Sequence, residues 1–129
     1  MKSLKSGIIA GLLVSGLATA DSSSEVGIAL SAWAPDSVSE QGARTTVVLD
    51  EGTVTTQIYT QAISNGVCAR VWLKQASSGY LAGITEIAVV NKSQRQGFIM
   101  EGGKEICDDL GLIPSSKIPE ALAAKTRSL

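Results

Sequence analysis

The chain holds two cysteines, Cys68 and Cys107, and a bond between them would restrict its fold more than any other feature of the sequence. Positions 39 residues apart would have to meet, and closing a loop of that length takes roughly 4 kcal/mol of conformational freedom from the unfolded chain. Pairing requires an oxidising compartment, and the start of the chain points to one. Lys2 and Lys5 precede a short apolar run from Gly7 to Leu17. Ala18-Thr19-Ala20 then forms a small-x-small cleavage site ahead of Asp21 and a serine run. A bilayer span needs about 20 apolar residues, so this order of segments reads as a secretory leader cut after Ala20. No cysteine stands at the cut to carry a lipid. The expected destination is the periplasm or the medium of a bacterium, and the expected state of the cysteines is one structural disulfide. A redox-active pair would show Cys-x-x-Cys spacing instead.

Losing residues 1–20 removes two of the eleven basic residues and none of the twelve acidic ones, which leaves a net charge of −3 on the remaining 109 residues. That length supports one small domain with a modest core. A mildly acidic, mixed surface lacks the clustered Lys and Arg that nucleic acid requires. No basic amphipathic run suits a membrane surface, and no second apolar stretch is long enough to cross a bilayer.

Along the exported part, residues 21–25 (DSSSE) read as a frayed terminus. Val26, Ile28, Leu30 and Ala32 alternate, which predicts a strand ended by Pro35. Trp33 is expected to pack beneath the loop that follows it. Ser37-x-x-Glu40 has capping-box spacing, and Gly42 limits any helix there to one turn. Residues 44–49 are rich in β-branched side chains and predict a strand. Asp50-Glu51-Gly52 suits a three-residue hairpin loop. Residues 53–63 fit two patterns: β-branched content favours a strand, while Val54, Ile58 and Ala62 fall at helical spacing ahead of a possible Asn65-Gly66 cap.

Residues 67–74 alternate clearly, with Val67, Ala69, Val71 and Leu73 on one face of a predicted strand. Cys68, Arg70, Trp72 and Lys74 take the other. Residues 75–79 (QASSG) carry turn chemistry. Residues 84–90 (ITEIAVV) are apolar on both faces and predict a central strand. A polar turn over 91–96 leads to a short strand over 97–100. Gly102-Gly103 then turns into a helix over 104–110, stopped by Gly111. Pro119 opens a last helix to about Lys125, followed by a frayed tail. The expected fold class is α+β: a small antiparallel sheet of about four to six strands with short C-terminal helices and one disulfide.

The chain contains no histidine. That removes the Ser-His-Asp and Cys-His mechanisms and every His-ligated zinc site. No metal and no cofactor is expected. Glu101, Glu105, Asp108 and Asp109 are the one set of acids dense enough for carboxylate chemistry such as glycoside hydrolysis. A charged run on a short helix more often forms its solvated face. Gly102-Gly103 lacks the Gly-Lys-Ser/Thr ending of a phosphate loop and reads as a tight turn. Asn91-Lys92-Ser93 fits an N-glycosylation pattern that matters only in a eukaryotic secretory route.

Arg70, Trp72 and Lys74 combine two cations with an aromatic, the residue types that dominate interface hot spots. They form the candidate binding face. Trp72 also admits a core reading, with Arg70 and Lys74 snorkelling past it. Cys68 shares that predicted face, so a bond to Cys107 would draw the 104–110 helix over Trp72. The function expected is that of an exported, non-enzymatic binding or accessory protein of the bacterial envelope. Its expected partner is another envelope or secreted protein, or a glycan. The alternatives are a small carboxylate-dependent hydrolase acting on cell-wall glycans and a structural component that assembles through an edge strand.

Overall fold

The computed structural model describes residues 22–129, so the predicted leader and cleavage site lie outside the described residues. Five strands form one sheet in chain order: β1 (Ser37–Gln41), β2 (Arg44–Val48), β3 (Glu86–Val90), β4 (Gly97–Met100) and β5 (Thr126–Ser128). Neighbours pair antiparallel except β2 and β3, which run parallel with Val47 beside Val89. A parallel pair needs a long crossover. Here residues 49–85 supply it, through α2 (Thr56–Gln61), a π-helical turn (Ala62–Val67) and α3 (Cys68–Trp72). The other helices are α1 (Ser22–Ala29), α4 (Lys104–Leu110) and α5 (Ile118–Ala123). The fold is α+β with the Cys68–Cys107 disulfide formed, at a Cα–Cα distance of 5.1 Å.

Strand parity sorts the core into two clusters. Val47, Ile87, Val89 and Met100 join Val26, Tyr59, Ile63, Ile106 and Leu122 from the helices in the larger one. Val48, Ala88, Val90 and Ile99 form the smaller cluster on the opposite face. There Glu86 binds Arg44 at 2.9 Å and Arg127 at 2.6 Å, and Arg127 also reaches Glu101 at 3.0 Å. Within the apolar run of residues 84–90, β3 over 86–90 is therefore a central strand buried on both sides, as its composition predicts, with residues 84–85 leading into it.

Several segments depart from their predicted form. Residues 26–33 are the end of α1 and a 3-10 turn rather than a strand. Val26 and Leu30 are fully buried while Ile28 is 60 % exposed, the signature of a four-residue rather than a two-residue repeat. Residues 22–25 are not frayed: they open α1, where Glu25 sits in the first turn and binds Arg70, while Asp21 lies outside the described residues. Ser37–Gln41 forms a strand instead of a helical turn, with Val38 beside Val47. Asp50-Glu51-Gly52 leads into a helix rather than a hairpin. Its backbone is held by the 91–96 turn, where Lys92 N–H donates to Glu51 O and Asn91 Nδ2 to Gly52 O. Asn91 is 7 % exposed and its Oδ1 accepts the N–H groups of Arg95 and Gln96. It organises this turn and is not open to a glycan.

The largest correction is that the predicted strand over 67–74 is helical through Trp72 and ends in a turn over 73–74; within 53–63, where strand and helix patterns compete, residues 56–63 are helical as well. Thr55 caps α2, its Oγ1 accepting Ile58 N–H at 3.1 Å, so a β-branched residue marks the helix start rather than a strand. Asn65-Gly66 does not end the helix. A side chain at Gly66 would press on Leu30 Cδ2 at 2.5 Å and Trp33 Cζ3 at 3.2 Å, so the glycine serves close packing against the end of α1. The helix continues through a π turn, with Cys68 N–H bonded to Ile63 O. The tail beyond Lys125 is ordered as β5, with Thr126 beside Met100 and Ser128 beside Phe98.

Candidate functional site

A groove of about 900 Å³ runs between the α2–π helix and the α5–β5 segment, within the size range of small-ligand sites. Thr56, Gln57, Thr60, Gln61, Ser64 and Asn65 form its first wall. They recur at the spacing of one helical face, and all are uncharged hydrogen-bonding residues. Ile118, Pro119 and Ala123 supply an apolar stripe on the facing helix, with Glu120 beside it. Phe98 and Tyr59 lie at the base with ring centroids 5.2 Å apart, and Trp72 lies at the wall. The π turn falls within the first wall, a kind of irregularity often found at functional sites.

Hydrogen bonds fix the base. Thr126 Oγ1 donates to Leu122 O at 2.7 Å, so its single proton is committed and Tyr59 Oη is the donor in their 2.6 Å contact. Burial raises the Tyr59 pKa to about 12, against the smaller opposing effect of Thr126. Tyr59 is thus a neutral post joining the two walls. The groove's charged residues are Glu120 and Arg127. Arg127 is held by Glu86 and Glu101 on the opposite face of the sheet. Hydroxyls and amides above an aromatic base can hydrogen-bond and stack against a ligand with little net charge.

The predicted trio does not share a face. About 200° separates positions 70 and 72 on a helix, and the structure brings only Trp72 to the groove. Trp72 Nε1 donates to Cys107 O at 2.8 Å. Gly111 gives the indole room, because a side chain there would stand 2.7 Å from Nε1. The disulfide does draw α4 against Trp72, but the indole stays partly exposed and lines the groove. Arg70 turns to Glu25 at 2.9 Å. Lys74 lies past the end of α3, exposed, at a φ of 61°.

Glu25 also accepts hydrogen bonds from Ser77 Oγ and Ser77 N–H. Burial works against its carboxylate, but Ser77 and Arg70 together hold its pKa below the usual range. Glu101, Glu105, Asp108 and Asp109 are all exposed and stand apart from the groove. Glu101 binds Arg127, Glu105 accepts Gly103 N–H, and Asp108 meets Lys104. Among the described residues no group of three or more His, Cys, Asp or Glu could hold a metal ion. No described helix is long and apolar enough to cross a membrane. The polar wall escaped the sequence reading because a strand assignment splits its residues between two faces; helical spacing would have gathered them. No protein-family model, curated protein or solved structure matches the chain.

Proposed function

We propose that this is an exported, non-enzymatic binding protein of the bacterial envelope that holds its ligand in the groove between α2 and α5. The observation that carries this reading is the first wall, where six uncharged polar side chains face an apolar stripe across an aromatic base. Trp72, the sequence candidate that reaches the groove, belongs to the residue class most often found at binding hot spots. The basic start and apolar run of residues 1–20 support export, and the disulfide is compatible with an oxidising destination. Hydrolysis by the four acids draws no support from the geometry, since none of them lines the groove.

Ala123 is exposed on the groove wall, so Ala123→Trp fills the groove without disturbing the core. Wild-type and variant protein would be immobilised and challenged with envelope extract and with purified cell-wall glycan. The expected outcome is a component retained by wild type and reduced at least tenfold on Ala123→Trp, at an unchanged melting temperature. Equal retention by both would move the site elsewhere. Release of soluble glycan fragments would make the protein an enzyme.

A further inference from the structure

The groove touches Thr126, Arg127 and Ser128, three consecutive residues of β5. Successive side chains of a strand point to opposite faces, and that of Arg127 lies on the far face with Glu86 and Glu101. A cavity that meets all three therefore runs along the strand's edge. Among the described residues β5 is the last strand of the sheet, with β4 as its one neighbour. Glu101 N–H bonds Lys125 O at 2.7 Å, and Leu129 N–H bonds Gly97 O at 3.0 Å. Residues 125, 127 and 129 thus face β4, and the antiparallel alternation turns the N–H and C=O groups of Thr126 and Ser128 outward.

Outward-facing edge groups are a template for another extended chain. Resting on the groove as the binding site, we infer that its ligand is an extended peptide segment of a partner protein, added beside β5 as a sixth strand. Main-chain hydrogen bonds to Thr126 and Ser128 would set its register. Its alternate side chains would meet Phe98 and the apolar stripe of α5. Charge narrows the class further. Of the groove's two charged residues, Arg127 is already neutralised by Glu86 and Glu101. Glu120 has no ion pair among the described residues, so a peptide with a basic residue opposite it is the complementary partner.

The test is selection from a library of acetylated, amidated heptapeptides with Lys, Glu or Ser fixed at the centre and random flanks. Wild-type protein, Ser128→Pro and Glu120→Lys serve as baits. Proline removes the outward N–H at position 128 without taking a hydrogen bond from β4, so Ser128→Pro keeps its fold and melting temperature. The expected result is enrichment of Lys-centred peptides by wild type, with affinities weakened at least tenfold by Ser128→Pro. Glu120→Lys should reverse the preference to Glu-centred peptides. N-methylation of alternate peptide amides should abolish binding while every side chain is kept. Binding that survives both Ser128→Pro and N-methylation overturns strand addition. If no peptide is enriched but chitotetraose binds and Ala123→Trp blocks it, the groove reading stands and the peptide assignment falls. If peptides bind with Ala123→Trp as tightly as with wild type, both fall.

Discussion

Glu25 shows how one side chain can carry structure across distant parts of the chain. It lies in α1, yet it fastens Arg70 of α3 and the Ser77 turn. Its carboxylate, and that of Glu86 between Arg127 and Arg44, are held below the ordinary value, which is about 4.3 for Glu. A depressed folded-state pKa contributes stability above the unfolded value, and that stability is lost as pH falls through the folded value. The protein is therefore expected to lose stability below about pH 4. Glu25→Gln should be less stable than wild type at pH 7 and closer to it at pH 3, as urea midpoints at the two pH values will show. An equal gap at both would mean that the Glu25 charge contributes nothing. None of this was legible in the sequence. Glu25 reads there as part of a polar terminus, because its partners are 45 and 52 positions away.

At the scale of elements, the helix from Thr56 to Trp72 decides the most. Intrinsic preferences between ordinary residues differ by at most about 0.7 kcal/mol in a helix. Burying a side chain such as Ile63 contributes about 1.5–3 kcal/mol. Val54, Tyr59, Ile63 and Val67 are all buried in the larger core cluster, and that packing outweighs the β-branched bias of the segment. Local capping still matters. Thr55→Ala removes the acceptor for Ile58 N–H and should cost about 1 kcal/mol, measured as a lower urea midpoint with an unchanged slope. An unchanged midpoint would show that tertiary contacts alone define the helix start. By contrast, the strands over 86–90 and 97–100 and the helix over 104–110 follow their sequence patterns closely. Each is short, bounded by turn residues, and has one period that fits.

For the whole molecule, the disulfide couples the crossover helix to α4, and α4 in turn supports Trp72 at the groove. Replacing both cysteines by alanine should lower stability by roughly 4 kcal/mol on the chain-entropy account, read from chemical denaturation. Ligand binding should weaken along with it, because the carbonyl of Cys107 anchors the indole. A variant that loses stability but binds as tightly as wild type would separate the cross-link from the site.

The sequence by itself determined the α+β class, the cysteine pairing, the central strand and the helices opened by Gly103 and Pro119. These rest on local chemistry: a glycine or proline stop, an uninterrupted apolar run, two cysteines without a third. Tertiary structure alone decided the form of residues 26–33, the helical state of residues 56–72 and the ordering of the last strand. Residues 53–63 fit both periods, residues 26–33 and 67–74 alternate as strands do, and the tail carries no pattern; in each case the choice went to whichever conformation met a complementary surface. The groove belongs to the second group. Its walls come from residues 56–72 and 115–128, so it exists only once the crossover helix and the C-terminal strand lie side by side on the sheet.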